Sequence, residues 1–186
     1  MRVTPLALPE VLLIDVDVFG DARGWFAETW QSRRYEGAGV PGRFVQDNAA
    51  YSQRGVLRGL HCQHPHGQGK LIQVLRGEIY DVCVDIRRGS PRFGQWLGVA
   101  LGGDRPQQLW IPPGFAHGYS VSSDEALFTY KCTDFYHPQT QFSVRWDDPA
   151  IGIAWPLTAA PILADKDRDA PPLAAIPPER LPPYEG

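Results

Sequence analysis

Apolar and polar residues alternate with a period of two along much of this chain, which is the pattern of half-buried β-strands. In the segment 125–132, Phe128 and Tyr130 share one face with two small apolar residues, and 78–86 alternates in the same way. The same pattern predicts further strands at 11–18, 43–50, 56–63, 70–76, 94–101, 107–112, 117–121 and 141–146.

Turn-forming residues separate these strands. Nineteen Gly and 18 Pro make up about a fifth of the 186 residues, against roughly 12 % in average usage. Both residues are costly inside helices, which excludes a helical bundle. One helix is predicted at 28–36, opened by Glu28. About ten short strands in a chain of this size predict an all-β domain: an antiparallel sandwich, jelly roll or barrel.

The C-terminal part of the chain has a different composition, with seven prolines after residue 160. Proline is poor material for a strand interior. We expect residues 162–169 to form a helical turn or an ordered loop. Residues 176–186 are expected to be a solvated, partly flexible tail of one domain that spans 1–186.

Charge and cysteine content narrow the function. Eighteen Lys and Arg against 21 Asp and Glu give a net charge of −3, with no basic run that would suit nucleic acid or an anionic membrane surface. The three cysteines are widely spaced and include no CxxC pair, which suits free thiols in a reducing compartment. The N-terminus predicts neither a signal peptide nor a membrane span, so we expect a cytoplasmic protein.

A run of histidines, with His61, His64 and His66 in six residues, first suggests a metal site, because imidazole is the commonest metal ligand. The pair His64-x-His66 resembles the first motif of the cupin superfamily of small β-barrels. In that motif a Glu follows the second histidine after three or four residues. Here Lys70 or Leu71 stands at that spacing, and a lysine ammonium would repel a divalent cation. We therefore predict no metal site, with His64 and His66 as surface residues of a turn. A metal-dependent cupin oxygenase is the alternative.

The second cupin motif, Pro-x-Gly-x-x-His, matches residues 112–117, although Val121 stands where cupins have Asn. More specific segments then follow one another in order. They are FGDxRG at 19–24, FVQDN at 44–48, GVLRGLHxQ at 55–63, KL at 70–71, DVxVDIR at 81–87, WIPxGFAHG at 110–118, YKCTxxY at 130–136, WxDP at 146–149 and KD at 166–167. In order and spacing they resemble the dTDP-4-dehydrorhamnose 3,5-epimerase family, from about residue 10 to 175.

The resemblance implies a cupin-type antiparallel jelly-roll β-barrel with a few short helices, acting as a homodimer on a dTDP-sugar without a metal or redox cofactor. The implied catalytic set is His61 as base, Asp167 as its partner, Tyr130 as the acid on the opposite face of the sugar, and Lys70 as the group that stabilises charge on the C4 oxygen. The implied substrate contacts are Arg58 and His117 at the diphosphate, Arg23, Phe26, Glu28, Gln46, Asn48 and Tyr136 at the nucleotide, and Lys166 beside Asp167. The partner subunit is expected to supply part of each nucleotide site.

These residue types suit proton transfer beside a ketone. Epimerisation removes a proton next to the carbonyl and returns it to the other face, through an enolate. A histidine such as His61 has an ordinary pKa of about 6.5, close to operating pH, and a carboxylate orients it. A cation such as Lys70 stabilises the enolate oxygen. The implied reaction converts dTDP-4-dehydro-6-deoxy-D-glucose into dTDP-4-dehydro-L-rhamnose.

Two questions of geometry stay open. Arg58 and His61 are three residues apart and face opposite sides of a regular strand, unless Gly59 hosts a bulge or Arg58 lies at the strand end. The carboxylate partner of His61 is Asp167 by the resemblance, but Asp81 is an alternative.

Other functions also stay open. The nearest are a C3-only epimerase and a sugar ketoisomerase, and Tyr130 favours the double epimerase because protonation from the opposite face needs an acid. A non-catalytic module that binds sugar nucleotides is a further possibility. Gln141 stands where we expect Glu in many relatives, which puts a nucleotide or sugar contact in doubt, and Trp25 replaces a smaller aromatic residue beside Phe26.

Overall fold

The computed structural model describes residues 1–103 and 105–186, which fold mainly into β-strands. The strands are β1 Arg2–Pro5, β2 Leu12–Asp15, β3 Val18–Asp21, β4 Gly24–Ala27, β5 Gln46–Gln53, β6 Leu57–Gln63, β7 Lys70–Arg76, β8 Glu78–Asp85, β9 Trp96–Gly102, β10 Gln107–Ile111, β11 Phe115–Val121, β12 Glu125–Cys132 and β13 Gln141–Ser143. The helices are α1 Ser32–Glu36 and α2 Asp165–Arg168, with 3-10 turns at Leu173–Ala175 and Pro178–Arg180. Within the described ranges, no helix has the length and apolar character needed to cross a membrane.

Two antiparallel sheets form the body of the molecule. One has the strand order β1-β2-β10-β7-β12-β5 and the other β13-β6-β11-β8-β9, while β3 and β4 form a separate two-stranded sheet. Most neighbours within the sheets are far apart in the sequence, as in a jelly roll. The predicted all-β, cupin-type jelly-roll class is confirmed.

The main hydrophobic core lies between the two sheets. Ile72 and Phe128 of the six-stranded sheet pack in one cluster with Ile79 of the five-stranded sheet. The alternation in β8 explains this placement, because Ile79 and Cys83 point inward whereas Val82 packs on the outer face. The inner face of β8 is thus the one that also carries Asp81.

Both outer faces of the sandwich are covered as well. Around α1, the buried Tyr35 packs with Ile14 and Trp110 on the six-stranded sheet. The C-terminal segment covers the five-stranded sheet, where Ile176 is 6 % and Leu181 is 7 % exposed. The prediction that 176–186 is a solvated tail is therefore wrong for these positions, since proline content reports the lack of regular structure but not where the intervening apolar residues dock.

The predicted elements mostly coincide with the observed ones, and the differences are local. The predicted helix at 28–36 begins later, because the side chain of Gln31 rather than Glu28 caps it by accepting a hydrogen bond from the Arg34 amide at 2.7 Å. The segment 18–27, which carries the implied nucleotide contacts Arg23 and Phe26, forms the β3–β4 hairpin.

Candidate active site

The side chains of the proposed proton-transfer set come from three strands and one helix. His61 lies on β6, Lys70 at the start of β7, Tyr130 on β12 and Asp167 on α2. His61 and Lys70 line a small, open cavity of about 20 Å³ that also has Gln68 in its wall.

His61 and Asp167 form a close pair. Nε2 of His61 lies 2.7 Å from Oδ1 of Asp167, and the amide of Gly59 donates to Oδ2 of the same carboxylate at 3.2 Å. Residue 167 reaches this place because the preceding segment is tied to β6, where the Leu57 amide donates to the carbonyl of Ile162 at 3.1 Å. Since a carboxylate can only accept, Nε2 carries the proton and Nδ1 of His61 keeps its lone pair.

The pKa values of this pair suit a base and its ionised partner. Burial lowers the pKa of His61, and the charge of Lys70 adds to this effect, while Asp167 opposes it. Burial alone would raise the pKa of Asp167, but its hydrogen bond to His61, with smaller contributions from the Gly59 amide and Lys166, brings it below the ordinary value. His61 is therefore neutral near pH 7 and ready to accept a proton.

Lys70 belongs to a second chain of polar groups. Its Nζ lies 3.4 Å from Nδ1 of His117, and Nε2 of that ring lies 2.9 Å from Asp81, which is fully buried on β8. The carboxylate of Asp81 accepts from Nε2, which leaves Nδ1 as the acceptor for the Lys70 ammonium. Asp81, the alternative partner of His61, is thus paired with His117, and Asp167 is the carboxylate beside His61.

Burial shapes the titration of this second group too. Burial lowers the pKa of Lys70, although Cys132, Cys62 and Asp81 act to raise it. Burial also lowers the pKa of His117. His117 is only 7 % exposed, and both of its ring nitrogens are engaged. The predicted contact of His117 with a diphosphate would require this ring to turn away from its present partners.

A bulge in β6 resolves the question of which way Arg58 faces. On β11, Tyr119 pairs with Arg58 and His117 with His61, so that β6 carries one more residue than its partner between the two pairs. Gly59 lies in the bulge with φ +123°, and a Cβ there would stand 2.5 Å from the Cα of Gly118. The extra residue lets Arg58 and His61 share a face of β6. Of the two possibilities that the sequence left open, the structure has the bulge at Gly59.

Tyr130 lines a second cavity, with Asn48, and the exposed Arg58 lies near enough for its charge to act on the phenol. Nε of Arg58 donates to Oγ of Ser52 at 3.2 Å, and that hydroxyl is 3.1 Å from the hydroxyl of Tyr119. Tyr130 stacks on Phe128 with ring centroids 5.9 Å apart. Burial raises the pKa of Tyr130 to about 12, while Arg58 acts in the opposite direction, so the phenol stays protonated at neutral pH.

Three members of the predicted nucleotide-binding set form one hydrogen-bonded group. Nε2 of Gln46 donates to Oδ1 of Asn48 at 3.1 Å, and Oε1 of Gln46 accepts from the amide of Tyr136 at 2.9 Å. The hydroxyl of Tyr136 donates to Oε1 of Gln141 at 2.9 Å. Gln141, the departure noted in the sequence, therefore orients the half-exposed ring of Tyr136.

The other predicted contacts are not in the wall of the cavity that His61 and Lys70 line, although Lys166 lies near it. On the β3–β4 hairpin, Arg23 pairs with Asp21 and Phe26 is 68 % exposed. Glu28 pairs with Arg34 of α1 at 3.1 Å. Lys166 lies on α2 beside Asp167, and its charge reaches both members of the His61 pair.

Gln63 is a residue that the sequence analysis passed over as a contact. It is 5 % exposed, its Nε2 donates to the carbonyl of Phe135 at 2.9 Å, and its Oε1 accepts from the amide of His137 at 2.8 Å. These bonds hold the loop that carries Tyr136. Its sequence signal is its place two residues after His61, on the same face of β6.

Comparison with known proteins agrees with this architecture. The family model described as dTDP-4-dehydrorhamnose 3,5-epimerase matches residues 5–175. A dTDP-4-dehydrorhamnose 3,5-epimerase of Pseudomonas aeruginosa is 52 % identical over 169 residues, which cover 90 % of this chain and 93 % of the relative. A dTDP-4-dehydrorhamnose 3-epimerase of Streptomyces niveus is 38 % identical, covering 91 % of this chain and 83 % of the relative.

A solved structure shows the same fold over the full length. The crystal structure of a dTDP-6-deoxy-D-glucose-3,5-epimerase from Legionella pneumophila, in complex with dTDP-4-keto-L-rhamnose, superposes with a TM-score of 0.97 at 50 % identity. The match covers 100 % of this chain and 99 % of that one. By sequence and by structure, this chain belongs to the dTDP-4-dehydrorhamnose 3,5-epimerase family of isomerases.

Proposed function

We propose that this protein epimerises C3 and C5 of dTDP-4-dehydro-6-deoxy-D-glucose to give dTDP-4-dehydro-L-rhamnose. The observation that carries the proposal is the pairing of His61 with the buried Asp167, with His61 and Lys70 in the wall of one cavity. A base and a cation side by side are what proton removal next to a ketone needs. The names of the relatives support the substrate and both positions of the reaction.

The base in this mechanism is Nδ1 of His61. It takes the proton from the carbon beside the C4 carbonyl, and the two electrons of the broken C–H bond become the enolate. The imidazolium that forms is stabilised by Asp167, 2.7 Å from the other ring nitrogen. The low pKa of Asp167 keeps the carboxylate ionised throughout.

The enolate oxygen gains its negative charge next to Lys70. The ammonium is held by Nδ1 of His117, so it does not have to be reoriented as the charge develops. The phenol of Tyr130 then gives a proton to the opposite face of the same carbon. Exchange with solvent returns a proton to the phenolate and removes one from His61, and a second round at the other carbon completes the reaction.

A single epimerase is the second candidate, because a 3-epimerase is among the relatives. A solved 3′-monoepimerase from Streptomyces bikiniensis is described as a mutant in which a histidine and a tyrosine were replaced. A tyrosine of this kind therefore occurs in a single epimerase as well, and Tyr130 alone does not separate the two activities.

Incubation with the 4-keto sugar in deuterated water, followed by NMR, tests the proposal. Deuterium at both C3 and C5 is the expected result, and it must be absent with His61→Ala. Deuterium at C3 alone would replace the double epimerase by the single one. No exchange at either carbon would reject both activities.

We also propose a homodimer in which the β3–β4 hairpin completes the partner's nucleotide site. The hairpin exposes Trp25 and Phe26 by 66 % and 68 %, next to the unburied guanidinium of Arg23. Aromatic rings beside an arginine suit a nucleobase and a diphosphate. Phe19 is also exposed and lies opposite Phe26 in the hairpin, and exposed apolar surface of this kind is typical of an interface.

Subunit mixing tests this arrangement. His61→Ala and Arg23→Ala are each expected to impair turnover as pure dimers. If Arg23 acts across the interface, an equal mixture of the two variants regains about a quarter of the wild-type activity once the subunits have exchanged. Half of the dimers then contain one subunit of each variant, and one of the two sites in such a dimer has both an intact His61 and an intact Arg23. A monomer in light scattering, or no recovery despite subunit exchange, would contradict the arrangement.

A further inference from the structure

Outside the cavity of His61, two histidines and a carboxylate converge. His66, Asp134 and His137 each offer one ligand atom, and these atoms all lie within 4.8 Å of one another. Nδ1 of His66 is 3.6 Å from Oδ2 of Asp134. The rings of His66 and His137 stack with centroids 4.4 Å apart and an interplanar angle of 24°. We propose that these three residues bind a divalent transition-metal ion of the Zn²⁺ class.

The backbone around this cluster is fixed by the protein itself. His66 adopts φ +69° in the turn before β7, a conformation that is uncommon outside glycine. Asp134 and His137 lie in the loop that follows β12. The buried amide of Gln63 joins the two segments, since its Nε2 donates to the carbonyls of both His66 and Phe135 and its Oε1 accepts from the amide of His137. The ligands are thus brought together before any ion arrives.

The carboxylate of Asp134 is also oriented. Its Oδ1 accepts a hydrogen bond from the amide of Phe135 at 2.7 Å, which turns Oδ2 towards His66. One dication shared by both rings and the carboxylate satisfies all three groups at once.

The donor set decides the class of ion. Two imidazole nitrogens and one carboxylate oxygen suit Zn²⁺, Co²⁺, Ni²⁺ or Cu²⁺, whereas Mg²⁺ and Ca²⁺ prefer oxygen ligands alone. Zinc bonds of about 2.0–2.1 Å in a tetrahedron place the ligand atoms about 3.4 Å apart. The His66–Asp134 pair is already near that value, and a bound ion would draw in the remaining pairs, which lie within 4.8 Å. The fourth position is left for water.

The site lies next to the proposed nucleotide contact rather than at the reacting carbons. Tyr136 stands between Asp134 and His137 in the chain, and its amide is bonded to Gln46. A bound ion would hold both ends of this short segment and so fix the ring of Tyr136. The ion takes no part in proton transfer, and the site does not depend on the identity of the substrate.

Calorimetric titration of the full-length, untagged protein with ZnCl₂ tests the site. Saturable binding of one ion per chain is expected, and His66→Ala and His137→Ala should each weaken it at least about tenfold, since even outer-shell changes cost roughly 10–100-fold in metal affinity. His64→Ala is the matched control, because it removes a nearby histidine from outside the cluster. It should leave the affinity unchanged.

Thermal melts of the metal-free variants verify that each is folded. We expect His137→Ala to fold, because the bond from residue 137 to Gln63 is made by the backbone amide and not by the histidine side chain. Hydrogen exchange gives a second reading: Zn²⁺ should slow amide exchange in residues 133–140 of the wild type but not of His137→Ala. Equal Zn²⁺ affinity in the wild type and both ligand variants would overturn the proposal. So would the lack of saturable binding, or equal loss in the His64→Ala control.

Discussion

Nζ of Lys70 lies 3.4 Å from Nδ1 of His117, and the other nitrogen of that ring is bonded to the buried carboxylate of Asp81. The three groups form one chain that begins on β8, crosses β11 and ends on β7. A flexible lysine is thereby held in one orientation at the wall of the cavity that contains His61.

Lys70→Met should lower kcat by about 10²–10³-fold, because the enolate oxygen loses its preorganised cation. The neutral side chain has a similar length, so the fold and the affinity for dTDP should change little. Steady-state kinetics and dTDP titration measure the two effects. Lys131→Met is the control, since Lys131 on β12 pairs with Asp47 near the surface, and an equal loss there would contradict the assignment.

Asp167→Asn should lower kcat by about 10²–10⁴-fold. The amide can present its NH₂ group to Nε2 of His61, which favours the tautomer with the proton on Nδ1. Because Nδ1 is the nitrogen that accepts the substrate proton, this tautomer cannot act as the base. Asp169→Asn tests whether the position matters, because Asp169 is exposed at the end of the same helix. Comparable losses in the two variants would argue against a specific pair.

The pKa of His61 should lie below its ordinary value of 6.5, because burial disfavours the imidazolium. The base works only when neutral, so kcat/KM should fall as the pH drops through this pKa. NMR titration of the ring protons reports the pKa directly. An observed pKa above 6.5 would contradict the prediction.

The neighbours of His61 should move this pKa in opposite directions. The charge of Lys70 lowers it and Asp167 raises it. Lys70→Met should therefore shift the titration midpoint upward, and Asp167→Asn should shift it downward. Shifts of the same sign in the two variants would show that burial changes, and not charges, dominate.

Strand positions were accessible from the sequence because period-two alternation reports directly on a half-buried sheet. The facing directions within the site were less accessible. The bulge at Gly59 changes the parity of β6, and no alternation pattern shows which of two parities a strand adopts around a glycine. The resemblance supplied Asp167, which by its sequence context alone is one of several charged residues in a short run.

Pairings between distant polar residues could not be read in the same way. Asp81 and His117 lie on neighbouring strands, but their contact depends on register, which is set by the packing of the whole sheet. The loop that holds Asp134 and His137 has no periodicity, and its shape follows from its bonds to Gln63. Such features emerge only when the two sheets are in place.

Gly59→Ala should destabilise the protein more than Gly55→Ala. Both residues have positive φ, at +123° and +81°, so both variants bear a backbone cost of about 1–2 kcal/mol. At Gly55 the added methyl group meets open space, whereas at Gly59 it meets backbone atoms of residues 117 and 118. The steric conflict adds about 1–3 kcal/mol. Urea unfolding of both variants measures the difference, and equal losses would contradict the close approach of β6 and β11.

Leu181→Ala should lower the free energy of unfolding by about 2–5 kcal/mol, as expected for a leucine in a packed core. Leu181 is 7 % exposed and packs with Ile176 in the cluster that covers the five-stranded sheet. Leu75→Ala is the control, because Leu75 is 56 % exposed on β7 and should cost little. If the two variants unfold at the same denaturant concentration, the C-terminal segment does not contribute to the core in solution. A selective loss for Leu181→Ala would show that this proline-rich segment is part of the folded domain.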